Sequence, residues 1–375
     1  MSSRQAILAA LEAADDYVSG EDLASRLDIS RAAVWKHVAA LKLGGYQIDG
    51  ARARGYRLVA PPSVLTEAAI RSRSGAARIG RRIIVLDVTR STNSDAMALG
   101  RDGEAEGTVV LAEEQTAGRG RLGRAWESSR GVNLYLSILL RPSIAPWSAP
   151  QLSLVAGVAV AETVREEGVD ARIKWPNDVV VTGLPALSFQ AGRLDLAARQ
   201  LAPRDLRPSP TRDSALRKLA GILTEIQAES DRVAFVVVGI GVNLNSDASH
   251  FSPELAGKAT SVVLERGKHL DRAAFAARLL VRFEECYDAW TRGGFAAVAP
   301  RWRALSVLDG RRVSVAATGK SYQGTCAGID EDGALLVDPD GGGARRQVLA
   351  GDVTITGAYA GAEAGAYGGP QPCQP

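Results

Sequence analysis

A chain of 375 residues is long enough for two or three domains, and its 46% hydrophobic and 23% charged content is that of an ordinary globular protein. The formal net charge of +3 is too small to imply a nucleic-acid partner by itself. Cys286, Cys326 and Cys373 are widely spaced with no C-x-x-C, and His37, His250 and His269 are scattered; this excludes a zinc ribbon, a disulfide framework and a histidine-rich metal site, and it suits a reducing cytoplasm. Glu12, Asp15 and Asp16 interrupt any signal-peptide core, and no run of about 18 uncharged apolar residues offers a membrane span.

In chain order, residues 1–60 make a first unit. Ile7, Leu8 and Leu11 recur at helical spacing. Ser19 is placed to cap a short helix that turns Leu23 and Leu27 inward. Asp28 and Ile29 make a turn, and Ser30 caps a second helix with Val34, Val38 and Leu41 on one face. Two short helices across a tight turn predict a helix-turn-helix. Residues 46–48 and 56–59 predict paired strands around a basic loop, the wing of a winged helix-turn-helix. The second helix would enter a major groove, so Ser30, Arg31, Lys36, His37, Arg52 and Arg54, with Arg57 beside them, are candidate DNA contacts. A small helical bundle with a solvated basic face would explain the helices but not the basic hairpin.

Pro61-Pro62 reads as a short stiff linker. Residues 65–304 alternate strand and helix signals. Strands are expected at 83–88, 107–112, 133–140, 171–175, 219–226 and 235–244, and helices at 151–165 and 274–290. Together they predict a central mixed sheet with helices against it, in a chain of α+β class. Residues 182–217 are rich in Pro, Arg, Ala and Leu, fit neither pattern and are expected to be an insertion. Residues 305–358 carry short β runs between turn signals and predict a small β-barrel. The segment 361–375 has the small, polar, Gly/Pro-rich composition of a disordered tail.

The stretch A-G-R-G-R-L-G-R-A-W at 117–126 alternates Gly118, Gly120 and Gly123 with Arg119, Arg121 and Arg124. Glycine allows close backbone approach and arginine offers a planar fork of donors, so the loop suits a carboxylate or phosphate. It is neither a Walker A loop nor a G-x-G-x-x-G turn. Ser91, Thr92 and Asn93 follow a strand end, where α/β ligands sit, and Ser91 or Thr92 equally suits a helix N-cap. Gln115 both donates and accepts, as an amide or ureido ligand requires. In K-W-P-N-D at 174–178, Asn177 and Asp178 could hold Mg2+ through oxygen or form a plain turn, although the turn gives no reason for Lys174 and Trp175. Lys218 stands before a β run containing Gly221, placed either to steady an anion or to face solvent.

Taken in order, G-R-G-R-L-G-R-x-W, K-W-P-N-D, K-L-A-G-I-L-x-E and G-I-G-V-N resemble the signatures of biotin–protein ligases. With the winged helix in front, the chain is similar over about residues 4–357 to the bacterial bifunctional ligases that also repress the biotin operon. The resemblance implies a catalytic domain of the biotin/lipoyl ligase type followed by an SH3-like barrel. It implies joining of biotin to ATP as biotinyl-5′-AMP, with transfer of biotin to a lysine of a carboxylase biotin carrier domain. Ser91, Thr92, Asn93 and Gln115 would line the biotin pocket, and Arg119, Gly120 and Arg121 would belong to a loop that orders over ligand. Arg119, Arg121 and Lys218 would be catalytic, Lys218 lying against the biotin carboxylate and α-phosphate. Trp126 would stack on adenine, Lys174, Asn177 and Asp178 would serve the phosphates and Mg2+ with Asp178 as metal ligand, and Asn243 would lie near the adenylate. Partners implied are the carrier domain, operator DNA and a second copy of the chain as a homodimer, in the cytoplasm and with no membrane.

Two features depart from that pattern. The segment between Asp178 and Lys218 is long where such ligases have a short turn, and Ala327 stands where some carry an arginine that reaches ATP, with Arg345 or Arg346 as replacements. A lipoyl–protein ligase, or a biotin-sensing regulator without ligase activity, would share much of the fold; G-R-G-R-L-G together with K-W-P-N-D favours biotin.

Overall fold

The computed structural model describes residues 3–14, 16–43, 46–51, 54–60, 65–183, 216–229, 231–317 and 320–359. The N-terminal unit holds helices α1 (Ser3–Glu12), α2 (Gly20–Leu27) and α3 (Arg31–Leu43) and the antiparallel hairpin β1 (Gln47–Ala51) and β2 (Gly55–Ala60). Its turns are set locally. The Ser19 hydroxyl accepts from the Glu21 amide at 3.1 Å, Asp28 adopts φ 50°, and the Ser30 hydroxyl accepts from the Ala33 amide at 3.1 Å. Ile7, Leu11, Leu23, Val34, Val38, Leu41 and Ile48 close one small core. The hairpin is tied to the helices where Val18 and Tyr56 exchange backbone hydrogen bonds at 2.7 and 2.8 Å. Gly55 is required there: its φ is 104°, and a Cβ would lie 2.0 Å from the Val18 carbonyl oxygen. The hairpin is longer than the paired strands expected at 46–48 and 56–59, while Arg52 and the Pro61-Pro62 linker lie outside the described residues.

The central unit is a seven-stranded mixed sheet of β3 (Arg82–Thr89), β4 (Thr108–Gln115), β5 (Leu134–Leu140), β6 (Ala171–Lys174), β7 (Asp178–Thr182), β8 (Leu216–Glu229) and β9 (Arg232–Val242), in the order β3-β4-β5-β9-β8-β7-β6. Only β3 and β4 run parallel. Strand alternation sends side chains to two faces. Val109, Leu111, Leu136, Ile138, Val236, Val238 and Ile240 meet the large core under helices α6 (Gln151–Glu166) and α8 (Arg272–Gly293). Val110, Leu139, Phe235 and Val237 meet Ala96 of α5 (Thr92–Arg101) on the other face. Helices α4 (Glu67–Arg71), α7 (Val262–Arg266) and α9 (Ala299–Leu305) complete the unit.

Strand β7 was not expected, and it corrects the limits of the insertion. Thr182 pairs with Leu216 across β7 and β8, and Arg217 is a buried strand residue whose guanidinium meets Glu265 at 2.6 Å. Thr182, Leu216 and Arg217 therefore belong to the sheet, and what remains of the insertion, 184–215, lies outside the described residues. The segment leaves and re-enters the sheet at neighbouring positions.

The C-terminal unit is a five-stranded antiparallel sheet of β10 (Arg311–Ala317), β11 (Lys320–Ile329), β12 (Leu335–Pro339), β13 (Arg346–Val348) and β14 (Asp352–Tyr359). Its order is β13-β12-β11-β10-β14, and among the described residues the two end strands are not paired with each other. Val313, Val315, Cys326, Leu335 and Val337 join the same core as α6 and α8, so this unit is packed against the sheet rather than tethered to it. The tail at 361–375 lies outside the described residues.

Candidate active site

On the α5 face of the sheet, β8 and β9 carry glycines where the strands would otherwise present side chains. Gly239 and Gly241 share the face of Phe235 and Val237, and Gly221 pairs with Gly241. Above these bare positions lies a cavity of about 400 Å³. Its walls include Ser91, Thr92, Asn93, Gln115, Arg119, Gly120, Arg121, Trp126, Lys174, Asn177, Asp178, Lys218 and Asn243, so every ligase-site candidate from the sequence faces one space.

The 117–126 loop crosses this space as a compact turn. Gly120 donates to the Arg124 carbonyl at 2.6 Å, and Trp126 donates to the Gly118 carbonyl at 2.9 Å. A Cβ on Gly118 would sit 2.6 Å from the Trp126 carbonyl oxygen, so that position needs glycine. The turn lays the Trp126 ring over the sheet glycines: a Cβ on Gly241 would fall 2.6 Å from the ring, and one on Gly221 3.0 Å from it. The Lys218 ammonium stands 5.3 Å from the ring centroid. The indole nitrogen of Trp126 is buried with no hydrogen-bond partner among the described residues.

At the start of α5, Ser91 holds the N-cap position, but its side chain makes no capping bond. The ordinary cap reading therefore fails for Ser91, whose buried hydroxyl lines the cavity. Thr92 does not cap either; its amide and hydroxyl donate to Gln115 Oε1 at 2.9 and 3.1 Å. Gln115 Nε2 donates to Ser128 at 2.9 Å. Asn93 is occupied by the protein: Nδ2 donates to Glu225 at 2.7 Å and to the Leu223 carbonyl at 3.2 Å, while Oδ1 accepts from Ser137 at 2.6 Å. Arg119 donates to the same Glu225 at 3.2 Å and to Ser94 at 3.1 Å.

Three further cations cluster around Asp178, Asn177 and Asp352. Lys218 Nζ and Asp178 Oδ1 are 2.6 Å apart. Lys174, next to both, has its pKa pulled below the usual lysine value, chiefly by burial, with Asp178 opposing that and Lys218 adding to it. Arg121 donates to Asn177 Oδ1 at 3.1 Å and to the Gly351 carbonyl at 3.0 Å, and lies 3.6 Å from the Asp352 carboxylate. Trp175 now has a reason: it is buried and donates to the Gly333 carbonyl at 3.0 Å, fixing the turn against the C-terminal unit. Asn243 is a scaffold contact, donating to the Thr260 carbonyl at 3.0 Å. Among the described residues no three His, Cys, Asp or Glu gather as a metal cage. Asp178 alone suits Mg2+ only in the usual manner of a cation held by one carboxylate plus substrate phosphates.

Neither Arg345 nor Arg346, the replacements considered for an arginine at Ala327, lines the cavity. Arg345 pairs with Asp338 at 2.7 Å and Arg346 lies over the Tyr322 ring at 4.7 Å, both away from the cavity. Glu225 ends the K-L-A-G-I-L-x-E stretch, whose spacing assigns it no role, and Asp352 carries no local sequence signal.

The winged helix presents a second surface. Arg31 and Lys36 are exposed on α3, and His37 is half-buried. The Ser30 hydroxyl is engaged as a cap. Arg54 pairs with Asp16 at 2.9 Å and lies 4.3 Å from the Tyr17 ring centroid, with Arg57 4.9 Å from the same centroid, so these arginines brace the wing. Trp35, 62% exposed beside Lys36, was missed in the sequence because a tryptophan at helical spacing reads as core.

Comparison with known proteins adds the following. Residues 85–243 match the biotin/lipoate A/B protein ligase family, residues 3–57 a helix-turn-helix domain and residues 310–355 the biotin protein ligase C-terminal domain. The chain is 34% identical over 332 residues to the bifunctional ligase/repressor BirA of Bacillus subtilis, covering 88% of this chain and 92% of that one. It is 34% identical over 336 residues to BirA of Escherichia coli, covering 89% and 92%. The biotin–[acetyl-CoA-carboxylase] ligase of Mycobacterium tuberculosis is 33% identical over 286 residues, covering 74% and 91%. Among solved structures, the biotin protein ligase from Aquifex aeolicus in complex with biotin and ATP aligns with a TM-score of 0.56 at 25% identity, covering 74% of this chain and 100% of that one.

Proposed function

The chain belongs to the family of bifunctional biotin ligase/repressors, and from that premise we propose how its residues divide the work. It is an ATP-dependent biotin–protein ligase and a DNA-binding repressor, with biotin and ATP as ligands of the cavity. The observation that carries the assignment of residues is their convergence on one space against bare sheet glycines.

Adenylation joins two anions. The biotin carboxylate is already charged at neutral pH, so no strong base is needed; the obstacle is its approach to a triphosphate. Fixed cations that meet charge growing on the α-phosphate lower that barrier. Lys218 and Lys174, held around Asp178, and Arg121, held by Asn177, supply them. Asp178 would hold Mg2+, which when bound neutralises phosphate charge. Ser91, with its hydroxyl free of capping duty, and Gln115 face the biotin end of the cavity. Trp126 offers its ring to adenine, and Arg119 is aimed by Glu225. The 117–126 loop covers the mixed anhydride and excludes water until a carrier lysine attacks.

The repressor side assigns α3 to the major groove, with Arg31, Lys36 and His37 as contacts. A cytoplasmic homodimer would present two such helices to an inverted repeat. The test of the site is biotin-dependent exchange of pyrophosphate into ATP by the full chain with Mg2+. Exchange that needs biotin supports the reading; none, with biotin bound, removes it. The test of the repressor form is an electrophoretic shift on the biotin-gene promoter, expected only when biotin and ATP are both present.

A further inference from the structure

Among the described residues, the C-terminal β-domain lines the cavity with no cation, and Arg345 and Arg346 are engaged elsewhere. What it contributes is a carboxylate. Strand β14 begins at Asp352, and Asp352, Val353 and Thr354 form part of the cavity wall. The entry of that strand is fixed: Asp352 pairs with Ala316 of β10, and a Cβ on Gly351 would lie 2.6 Å from the Ala316 carbonyl oxygen. The Asp352 carboxylate meets two arginines of the glycine-arginine loop, Arg121 at 3.6 Å and Arg124 in direct contact. The Gly351 carbonyl takes a second Arg121 hydrogen bond at 3.0 Å. Arg121 thereby joins three elements that are distant in sequence: its own loop, Asn177 at the β6–β7 turn, and the C-terminal domain.

We propose that Asp352 is a positioning residue for adenylate formation, latching the 117–126 loop to the C-terminal domain so that Arg121 is aimed into the cavity. One carboxylate shared by two guanidinium groups leaves a net positive charge, so the latch orients the cations without cancelling their attraction for phosphate. It also gives the C-terminal domain a part in catalysis without reaching ATP itself: its packing on the shared core sets where the loop rests. The inference rests on the reading above that this loop closes over biotinyl-adenylate.

The test uses the full chain as wild type, Asp352→Asn, Asp352→Glu and Arg124→Ala. Two readouts are taken: dissociation of biotinyl-adenylate formed from biotin and ATP, and trypsin cleavage after Arg121 and Arg124 in the ligand-free protein. Asp352→Asn keeps the side-chain shape and the β14 backbone pairing, so it tests charge. It should speed adenylate loss by about threefold to tenfold, as expected for a partly exposed contact to two charged partners, and hasten cleavage at the loop. Asp352→Glu should recover both within about twofold, and Arg124→Ala should shift both in the same direction by less. Asp352→Asn matching wild type in both readouts overturns the latch, and so does Asp352→Glu behaving as badly as Asp352→Asn, which would mark a merely structural position. Failure of wild type to form adenylate refutes the functional reading instead, while the trypsin comparison still judges the latch.

Discussion

Replacing Gly241 with alanine isolates the Trp126 platform from the rest of the site. Gly241 has ordinary strand backbone, not the left-handed conformation, so alanine fits the chain there. The added methyl carbon would begin 2.6 Å from the Trp126 ring, against the 3.4 Å at which ordinary contact starts. The ring has to lift, and the neighbouring glycine partner Gly221 offers no side chain to share the load. Overpacking of this kind costs about 1–3 kcal/mol, offset by roughly 0.5–1 kcal/mol gained from removing a strand glycine. The expected result is a melting temperature lowered by no more than about 10 °C, from a net cost of at most about 2.5 kcal/mol, with an ATP KM raised about tenfold, equivalent to about 1.4 kcal/mol. Biotin affinity should move much less. The assay is pyrophosphate release against ATP and biotin in turn, with the Trp126 emission taken as the difference from a Trp126→Phe protein. An unchanged ATP KM together with a Trp126 emission shifted by the methyl would show that the ring does not meet the nucleotide and would refute the stacking role.

Three further expectations follow from particular contacts. Lys174 is held below the ordinary lysine value of 10.5 by burial, so its positive charge, present at low pH, is lost earlier than usual as pH rises. The alkaline limb of kcat/KM for ATP should therefore fall below 10.5 and move upward in Lys174→Arg; a limb that stays put in the arginine variant counts against Lys174 as a phosphate ligand. Because Thr182 and Leu216 are direct cross-strand partners, and Thr182 lies about 13 Å along β7 from Asp178, replacing 184–215 with a short Gly-Ser turn should preserve adenylation within about threefold. A much larger loss, with folding intact by circular dichroism, would mean the segment serves the site. Lys36→Ala should weaken promoter binding at all sequences and lower the salt slope by about one, leaving ligation unchanged; an unaltered slope would take Lys36 off the phosphate backbone.

The parts of the fold that were legible are those whose signals are local. Ser19, Asp28 and Ser30 cap and turn the helix-turn-helix within a few residues, and their roles hold in the structure. Strand β7 was lost because D-V-V-V-T is only five residues long and its partner β8 begins beyond the long segment that follows it. The site residues were legible through motif order, but what holds each of them was not. Asn93 and Arg119 converge on Glu225, and Arg121 on Asp352, through contacts that span the chain and leave no spacing to read. Arg54 looked like a phosphate contact because a basic loop tip cannot reveal that Asp16 and Tyr17 already hold it.

The most direct measurement is transfer of biotin to a purified biotin carrier domain by the full chain with ATP and Mg2+, beside Arg121→Ala. The expected result is carrier labelled on lysine by wild type and at least about 100-fold less by the variant, the loss typical of removing a donor aimed at developing charge. Biotin binding without any labelling by wild type would contradict the account and leave a sensor whose cavity holds its ligand but does not react it.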